Sequence, residues 1–472
     1  MFSIVSPSLQ DEVSISVKGV AAMAKTDEHF ICATMDWWPP EKCNYGMCPW
    51  GNASIINLDL KNPILHNALK AFNPLRIRLG GSLQDQVVYK VGKNHPWCRK
   101  FQNVTEGLFG FSTGCLNMCR WDKLNALFNE TGVKLTFGLN ALYGRQKSTD
   151  QSYIGNWDSS NAHAFINYTV SKGYNVDSWE LGNELCGSGV SARVDAKQYG
   201  KDLIALKAIV DDLYKEKPFK AKVLAPGGFY DKEWFDEMLT TSGPDVVQAV
   251  THHIYNLGSG DDSGLIYKIQ DPYYLDQIVG TFKDVALTVQ NFGPWSSAWV
   301  GESGGAYNSG GRNVSDAFVD SFWYLDQLGM ASTFDHKVYC RQALIGGKYA
   351  LLDTNNFQPN PDYYSALLWH RLMGSKVLET THNVINDMNL YPPEDNSSDP
   401  ISDQGEMEVY HLTRKNGNLR SKVMLLNGNP LKLTDRGDIP EMNPLSSNVT
   451  LEISPLSIAF VRLKNFKAPA CH

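Results

Sequence analysis

The chain has 472 residues, with 43 Lys and Arg against 50 Asp and Glu for a formal charge of −7, and 43% of its residues are apolar. A balance so near neutrality, without a long basic run, provides no field to gather phosphates or anionic lipid, which argues against nucleic acid as the main partner. No stretch of about 18 consecutive apolar residues occurs, so no transmembrane segment is expected, while peripheral membrane association and the oligomeric state stay open.

In chain order, VSISVKG near the N-terminus reads as a strand that needs a sheet to join. Eight short apolar, β-branched runs follow, each ending in small or polar residues: HFICATMD (29–36), LRIRLGGS (75–82), KLTFGLNA (134–141), VDSWELGNE (176–184), KVLAPGG (222–228), AVTHHIY (249–255), SAWVGESGG (297–305) and HKVYCRQA (336–343). Between them, NPILHNALKAF, RWDKLNALFNET, NAHAFINYTVSKG, DAKQYGKDLIALKAIVDDLYK and VSDAFVDSFWYLDQLG place apolar residues at three- and four-residue steps, the period of helices. Eight strand-helix repeats are the count of an α/β fold, the (β/α)8 TIM barrel, here over residues 29–374, with 86–120 as a loop over its C-terminal face. From 375 to 472 the texture changes to short alternating runs, MEVYHLTR, SKVMLLNG, NVTLEISP and SIAFVRLK, which predict a C-terminal β-sandwich that segment 1–28 can join. Residues 386–405 read as loop or disordered by composition.

Nine cysteines include the close pairs Cys43/Cys48 and Cys115/Cys119 in loop-like sequence. Neither pair is CxxC and no His stands at ligand spacing, so disulfides are expected rather than a metal centre, and no cofactor is implied. The odd count leaves at least one thiol free, and Cys340, inside the apolar run KVYCRQAL, is the expected one. Seven N-x-S/T sequons, at Asn52, Asn103, Asn129, Asn167, Asn313, Asn396 and Asn448, together with the cysteines favour a secretory route. The N-terminus has neither a positive n-region nor an apolar h-region, so no signal peptide reads there, and the chain is either mature or incomplete at its start.

Catalytic side chains of such barrels project from C-terminal strand ends. Asp36, Ser82, Asn140, Asn183, Glu184, Tyr255, Glu302 and Gln342 fall there. WELGNE and WVGESGG each set a carboxylate, Glu184 and Glu302, at the end of an apolar strand, an unfavourable place for an unused charge. The alternative for either is to cap the next helix or pair with an arginine such as Arg76, Arg78 or Arg341. Two facing carboxylates suit glycoside hydrolysis, in which one protonates the leaving oxygen and the other attacks the anomeric carbon. A gap of about 5–5.5 Å means retention of configuration and about 6.5–9.5 Å inversion. Asn183 suits a donor to the sugar 2-hydroxyl, a loop-turn asparagine being the alternative. His252 and His253 point to opposite faces of an extended strand, so both cannot hold one ion; one faces the barrel interior in a supporting role. Tyr255 is placed to hydrogen-bond the nucleophile or a sugar carboxylate.

The blocks SIINLDLKNP, RIRLGGSLQD, WELGNE, THHIYNLGSG, WVGESGGAYNSG, YCRQALIGGKYALLD and NPDYYSALLWHRLMGSKVL, in this order and spacing, resemble the plant heparanase-like proteins, the β-glucuronidase branch of glycoside hydrolase family 79, related to animal heparanase. The resemblance implies a retaining double displacement on a glucuronate-containing glycan or glycoside, with Glu184 as acid/base and Glu302 as nucleophile. It further implies that Asp36, Ser82, Asn183 and Tyr349 line the glucuronate subsite and that Tyr307 to Gly310 lie near the sugar carboxylate, as a backbone anion nest. With Tyr255 and Gln342 these complete the expected substrate-binding set. Rival readings are an endo-acting, heparanase-type hydrolase of acidic polysaccharide and an inactive glycan-binding protein. The family implies secretion to the cell wall or a vacuolar or lysosomal route. One departure stands out: GSKVLETTHNVINDMNLYPPE joins directly two blocks that the family separates by several strands, so the sandwich is expected to be short, with exposed edges.

Overall fold

Eight parallel strands, β1 (Ile31–Met35), β2 (Arg76–Leu79), β3 (Lys134–Leu139), β4 (Ser178–Leu181), β5 (Lys222–Phe229), β6 (Ala249–Ile254), β7 (Ser297–Ser303) and β8 (Val338–Arg341), close into a barrel in chain order. The computed structural model describes residues 14–92, 99–382, 406–447, 452–464, 466 and 468–471. A parallel sheet wrapped by helices is buried on both faces. Accordingly β1, β2, β4 and β6 are buried at every position, polar and charged side chains included.

The barrel closes where β8 pairs with β1, with Cys340 opposite Cys32, and the two form a disulfide across 308 residues of chain. Cys340 is therefore not the free thiol; register across adjacent strands decides its partner. Tying ends this far apart removes loop entropy from the unfolded chain, about 6 kcal/mol in the chain-entropy model. Leu224, Ala249, Trp299 and Val338 pack around the bridge. Cys43 and Cys48 are bonded. Cys115 and Cys119, close in sequence, are not bonded to each other: Cys115 is disulfide-bonded elsewhere, and Cys119 has an exposed free thiol. Cys115 is buried on the short strand Gly114–Asn117, whereas Cys119 stands in the first turn of the helix that follows.

Helices α1 (Pro63–Lys70), α2 (Met118–Thr131), α3 (Ser160–Ser171), α4 (Ala196–Leu213), α5 (Lys232–Ser242), α6 (Val279–Phe292), α7 (Asp320–Thr333) and α8 (Pro361–Leu372) cover the barrel. Side chains of Asn62, Asn117, Asp195 and Asp231 accept hydrogen bonds from first-turn amides of α1, α2, α4 and α5, satisfying donors that a helix start leaves unpaired. α7 begins later than its periodicity suggests, because the Phe318 and Val319 amides donate to Ser421 and Leu419 carbonyls of the C-terminal region. The segment 86–120 is not all loop: Val87–Lys90 pairs in parallel with Gly114–Asn117.

The C-terminal region forms a five-stranded antiparallel sheet centred on Met407–Arg414, with Met424–Leu426, Asn429–Pro430, Leu445–Ser447 and Ile458–Leu463. Of the NVTLEISP run, residues 452–455 are not strand and 448–451 lie outside the described residues, as do 386–405. The N-terminal strand Ile15–Lys25 pairs instead with Lys376–His382 in a separate two-stranded ribbon. Asn52, Asn103, Asn129, Asn167 and Asn313 are all exposed, open to glycosylation, while Asn396 and Asn448 lie outside the described residues. No described helix is long and apolar enough to cross a membrane.

His252 points outward from β6 and meets His336, Nε2 to Nε2 at 2.9 Å, with Phe282 edge-on to both rings. Burial pushes both histidines down, His336 to about 4. The folded state thus keeps them neutral while the unfolded chain protonates below about 6.5, so stability is lost as pH falls from there toward 4. For His336 alone the loss at pH 5 is about 2 kcal/mol. His336→Gln keeps a hydrogen-bonding group but does not titrate. Thermal unfolding at pH 7 and pH 5 should show a smaller acid-induced drop for the variant than for wild type; equal drops would contradict this.

Candidate active site

Beyond β4 the chain turns inward through Gly182, Asn183 and Glu184. Glu184 takes a left-handed conformation (φ 55°), uncommon for a residue with a side chain and held only where surroundings over-determine it. Its amide donates to the Gly227 carbonyl at 2.8 Å, tying the β4 exit to β5. The buried Glu184 carboxyl meets His253 Nδ1 at 3.0 Å, so His253 is the interior member of the histidine pair. Glu302, on β7, receives a hydrogen bond from the Tyr255 hydroxyl at 2.7 Å and another from Arg78 Nη1 at 2.8 Å. One carboxylate oxygen of each glutamate and a ring nitrogen of His253 lie within 4.8 Å of one another. These three side chains have the donor types to hold a cation, yet the Arg78 guanidinium already brings a positive charge to Glu302.

Arg78 is buried and its other two nitrogens also donate: Nε to Glu180 at 2.6 Å and Nη2 to Asn183 Oδ1 at 2.9 Å. Burial works against its charge, but Glu180 and Glu302 outweigh it and the guanidinium is held more firmly protonated than usual. Burial raises Glu184 to about 7, opposed by Arg78. Burial also lowers His253 to about 4, so the group beside Glu184 is a neutral imidazole. Two carboxylates at one barrel mouth therefore have contrasting partners, one a neutral ring and the other a cation and a phenol.

Around this pair, Asp36 is buried and raised to about 7 by burial and by Glu302. It accepts from the Trp37 amide at 2.6 Å and from Gln342 Nε2 at 3.0 Å. Gly81 fits against it because a Cβ there would lie 2.3 Å from its carboxylate oxygen. Tyr349 is buried; desolvation and then the negative charges of Glu302 and Asp36 push its phenol upward. The turn Asn308–Ser309–Gly310 has three successive left-handed residues and packs on Tyr349, whose amide nitrogen would be 2.9 Å from a Cβ at Gly310. Asp36, Asn183, Tyr255, Gln342 and Tyr349 thus surround the two glutamates. Ser82 is half-buried one residue past Gly81 and Tyr307 is exposed; neither hydrogen-bonds the glutamates among the described residues. Asn140 serves its own turn, accepting from Leu142 and donating to Val87.

Sequence reasoning missed the joining roles of Arg78, Glu180 and Asp85. Arg78 figured there only as a pairing partner that would make a strand-end glutamate structural, whereas it binds Glu302, Glu180 and Asn183 together. Its signal was the alternation in RIRL, which sends Arg76 and Arg78 to one face of β2. Asp85 accepts from the Asn183 and Ala141 amides and so fixes the residue before Glu184. Arg78→Met would leave Glu180 and Glu302 buried without their cation, which costs about 3–5 kcal/mol. Urea unfolding should show the midpoint falling accordingly; a change below about 1 kcal/mol would contradict the network's structural role.

The family model described as glycosyl hydrolase family 79, N-terminal domain, matches residues 12–329. Heparanase-like protein 1 of Arabidopsis thaliana is 52% identical, over 97% of this chain and 94% of that protein. Baicalin-beta-D-glucuronidase of Scutellaria baicalensis is 40% identical, over 93% of this chain and 90% of its own length. Among solved structures, a 4-O-alpha-L-rhamnosyl-beta-D-glucuronidase from Fusarium oxysporum 12S superposes with a TM-score of 0.60 at 14% identity, covering 95% of this chain and 98% of that one, a likeness of fold. The chain belongs to glycosyl hydrolase family 79 and is a glycosidase related to the heparanases and β-glucuronidases.

Proposed function

We propose that the protein is a retaining, exo-acting β-glucuronidase that removes glucuronate from a glycan or small glucuronide. The observation that carries this reading is the approach of one carboxylate oxygen of Glu184 to one of Glu302 within 4.8 Å, which suits direct attack by a carboxylate. Glu302, steadied by Arg78 and Tyr255, attacks the anomeric carbon. Glu184, raised to about 7, gives its proton to the departing oxygen and then, as base, activates the water that releases the sugar. Asn183 Nδ2 is buried without a protein acceptor and is placed to donate to the 2-hydroxyl. Asp36, Gln342 and Tyr349 face the remaining hydroxyls, and the left-handed turn at 308–310 offers backbone N–H groups to the sugar carboxylate. Disulfides in the barrel and exposed sequons support a secretory route, to the cell wall or vacuole.

Aryl β-glucuronide, β-glucoside and β-galactoside offered side by side should show turnover of the glucuronide first. Glu184→Gln and Glu302→Gln should each lower it about 100- to 10,000-fold or more while the thermal unfolding of each stays cooperative. Because the protonated form of Glu184 is the working acid, kcat should fall as pH rises through about 7. Near wild-type turnover in either variant, or an equal rate on the glucoside, would contradict the assignment.

A further inference from the structure

We infer that the leaving-group side of this site takes a neutral, planar aromatic aglycone, and that Phe229 is the residue that selects it. The inference rests on the reading of Glu184 as proton donor. An acid that protonates the departing oxygen has the leaving group on its own side, so a cavity lined by Glu184 and not by Glu302 is where the aglycone lies. Such a cavity, of about 240 Å³, opens beside Glu184 between the turn at residues 186–190 and the β5 exit at residues 229–231. That volume accommodates a fused aromatic system but not an extended oligosaccharide.

The walls set the chemistry. Two apolar side chains stand open to solvent there, Val190 at 48% and Phe229 at 41% exposure. Covering such surface is favourable, by roughly 25 cal/mol per Å². Phe229 is the last residue of β5, and its ring lies 6.2 Å from both His253 and Tyr255, the two residues that hold Glu184 and Glu302. Its backbone carbonyl is met by the Cys186 thiol at 3.1 Å. An aromatic plane at this position is therefore presented beside the bond to be broken. Among the described residues no Lys or Arg lines the cavity, and its charged wall groups are Glu184 and Asp231. Asp231 is fixed as the N-cap of α5 through the Trp234 amide at 3.0 Å. A sulfated or uronate leaving sugar would meet a carboxylate and no cation, whereas a neutral ring meets Phe229, Val190 and the edge of Tyr230.

The test uses three glucuronides with the wild-type protein and with Phe229→Ala and Phe229→Trp: 2-naphthyl, 6-sulfo-2-naphthyl and methyl β-glucuronide. Wild type should favour the naphthyl over the sulfonated substrate in kcat/KM by about fivefold or more, since the two leaving groups differ chiefly in charge. Phe229→Ala should cut the naphthyl-to-methyl ratio of kcat/KM about fivefold, mainly through KM, and Phe229→Trp should restore it. A sulfonated substrate that matches the neutral one, or a naphthyl-to-methyl ratio that Phe229→Ala does not move, overturns this inference and leaves the glucuronidase reading standing. Absence of turnover on all three by folded wild-type protein overturns both.

Discussion

The site depends on one buried cation. Arg78 lies at the centre of the barrel and divides its donors among Glu180, Glu302 and Asn183. A guanidinium can do this because its donors form a planar fork; a lysine ammonium in the same place is a point charge without that geometry. Taking such a group out of water costs several kcal/mol, and the cost is met only when every donor finds a well-placed acceptor. Strands β2, β4 and β7 are thereby locked in mutual register at the level where the chemistry occurs. The interaction is structural and electrostatic together, since the same contact that compensates the buried charge also orients Glu302.

From that constraint follows the division of labour between the two carboxyl groups. Glu184 is buried beside a neutral imidazole and is raised to about 7, while Glu302 sits between a guanidinium and a phenol. Environments that separate two like groups are how one fold supplies an acid and a nucleophile at the same pH. The surrounding layer serves placement: Asp85 holds the Asn183 amide, the Gly227 carbonyl holds that of Glu184, and Gln342 holds Asp36. At the opposite end of the barrel the Cys32–Cys340 bond fastens the first strand to the last, so the mouth is built on a closed frame.

Much of this was legible in the chain itself. The eight strands stand out as short apolar, β-branched runs that each end in small or polar residues, and their ends show Glu184 and Glu302 because a carboxylate after an apolar run has few structural uses. What was not legible depends on which strands become neighbours. Cys340 looks like an isolated core thiol until β8 lies against β1. Arg78 looks like a competitor for the glutamates until three strands bring its partners to it. The late start of α7 reflects two amides taken by the C-terminal region. Ser82, read from its strand end as well as from the resemblance, and Tyr307, read from the resemblance alone, lie apart from the hydrogen bonds around the carboxylates.

The most direct test of two glutamates acting across a short gap is the stereochemistry of the first product. Proton NMR of the anomeric region, recorded in the first minutes of aryl β-glucuronide hydrolysis, distinguishes the anomers before mutarotation mixes them. The geometry predicts that β-glucuronate appears first and the α-anomer only later. Initial release of α-glucuronate would mean inversion and would contradict the assignment of Glu302 as nucleophile.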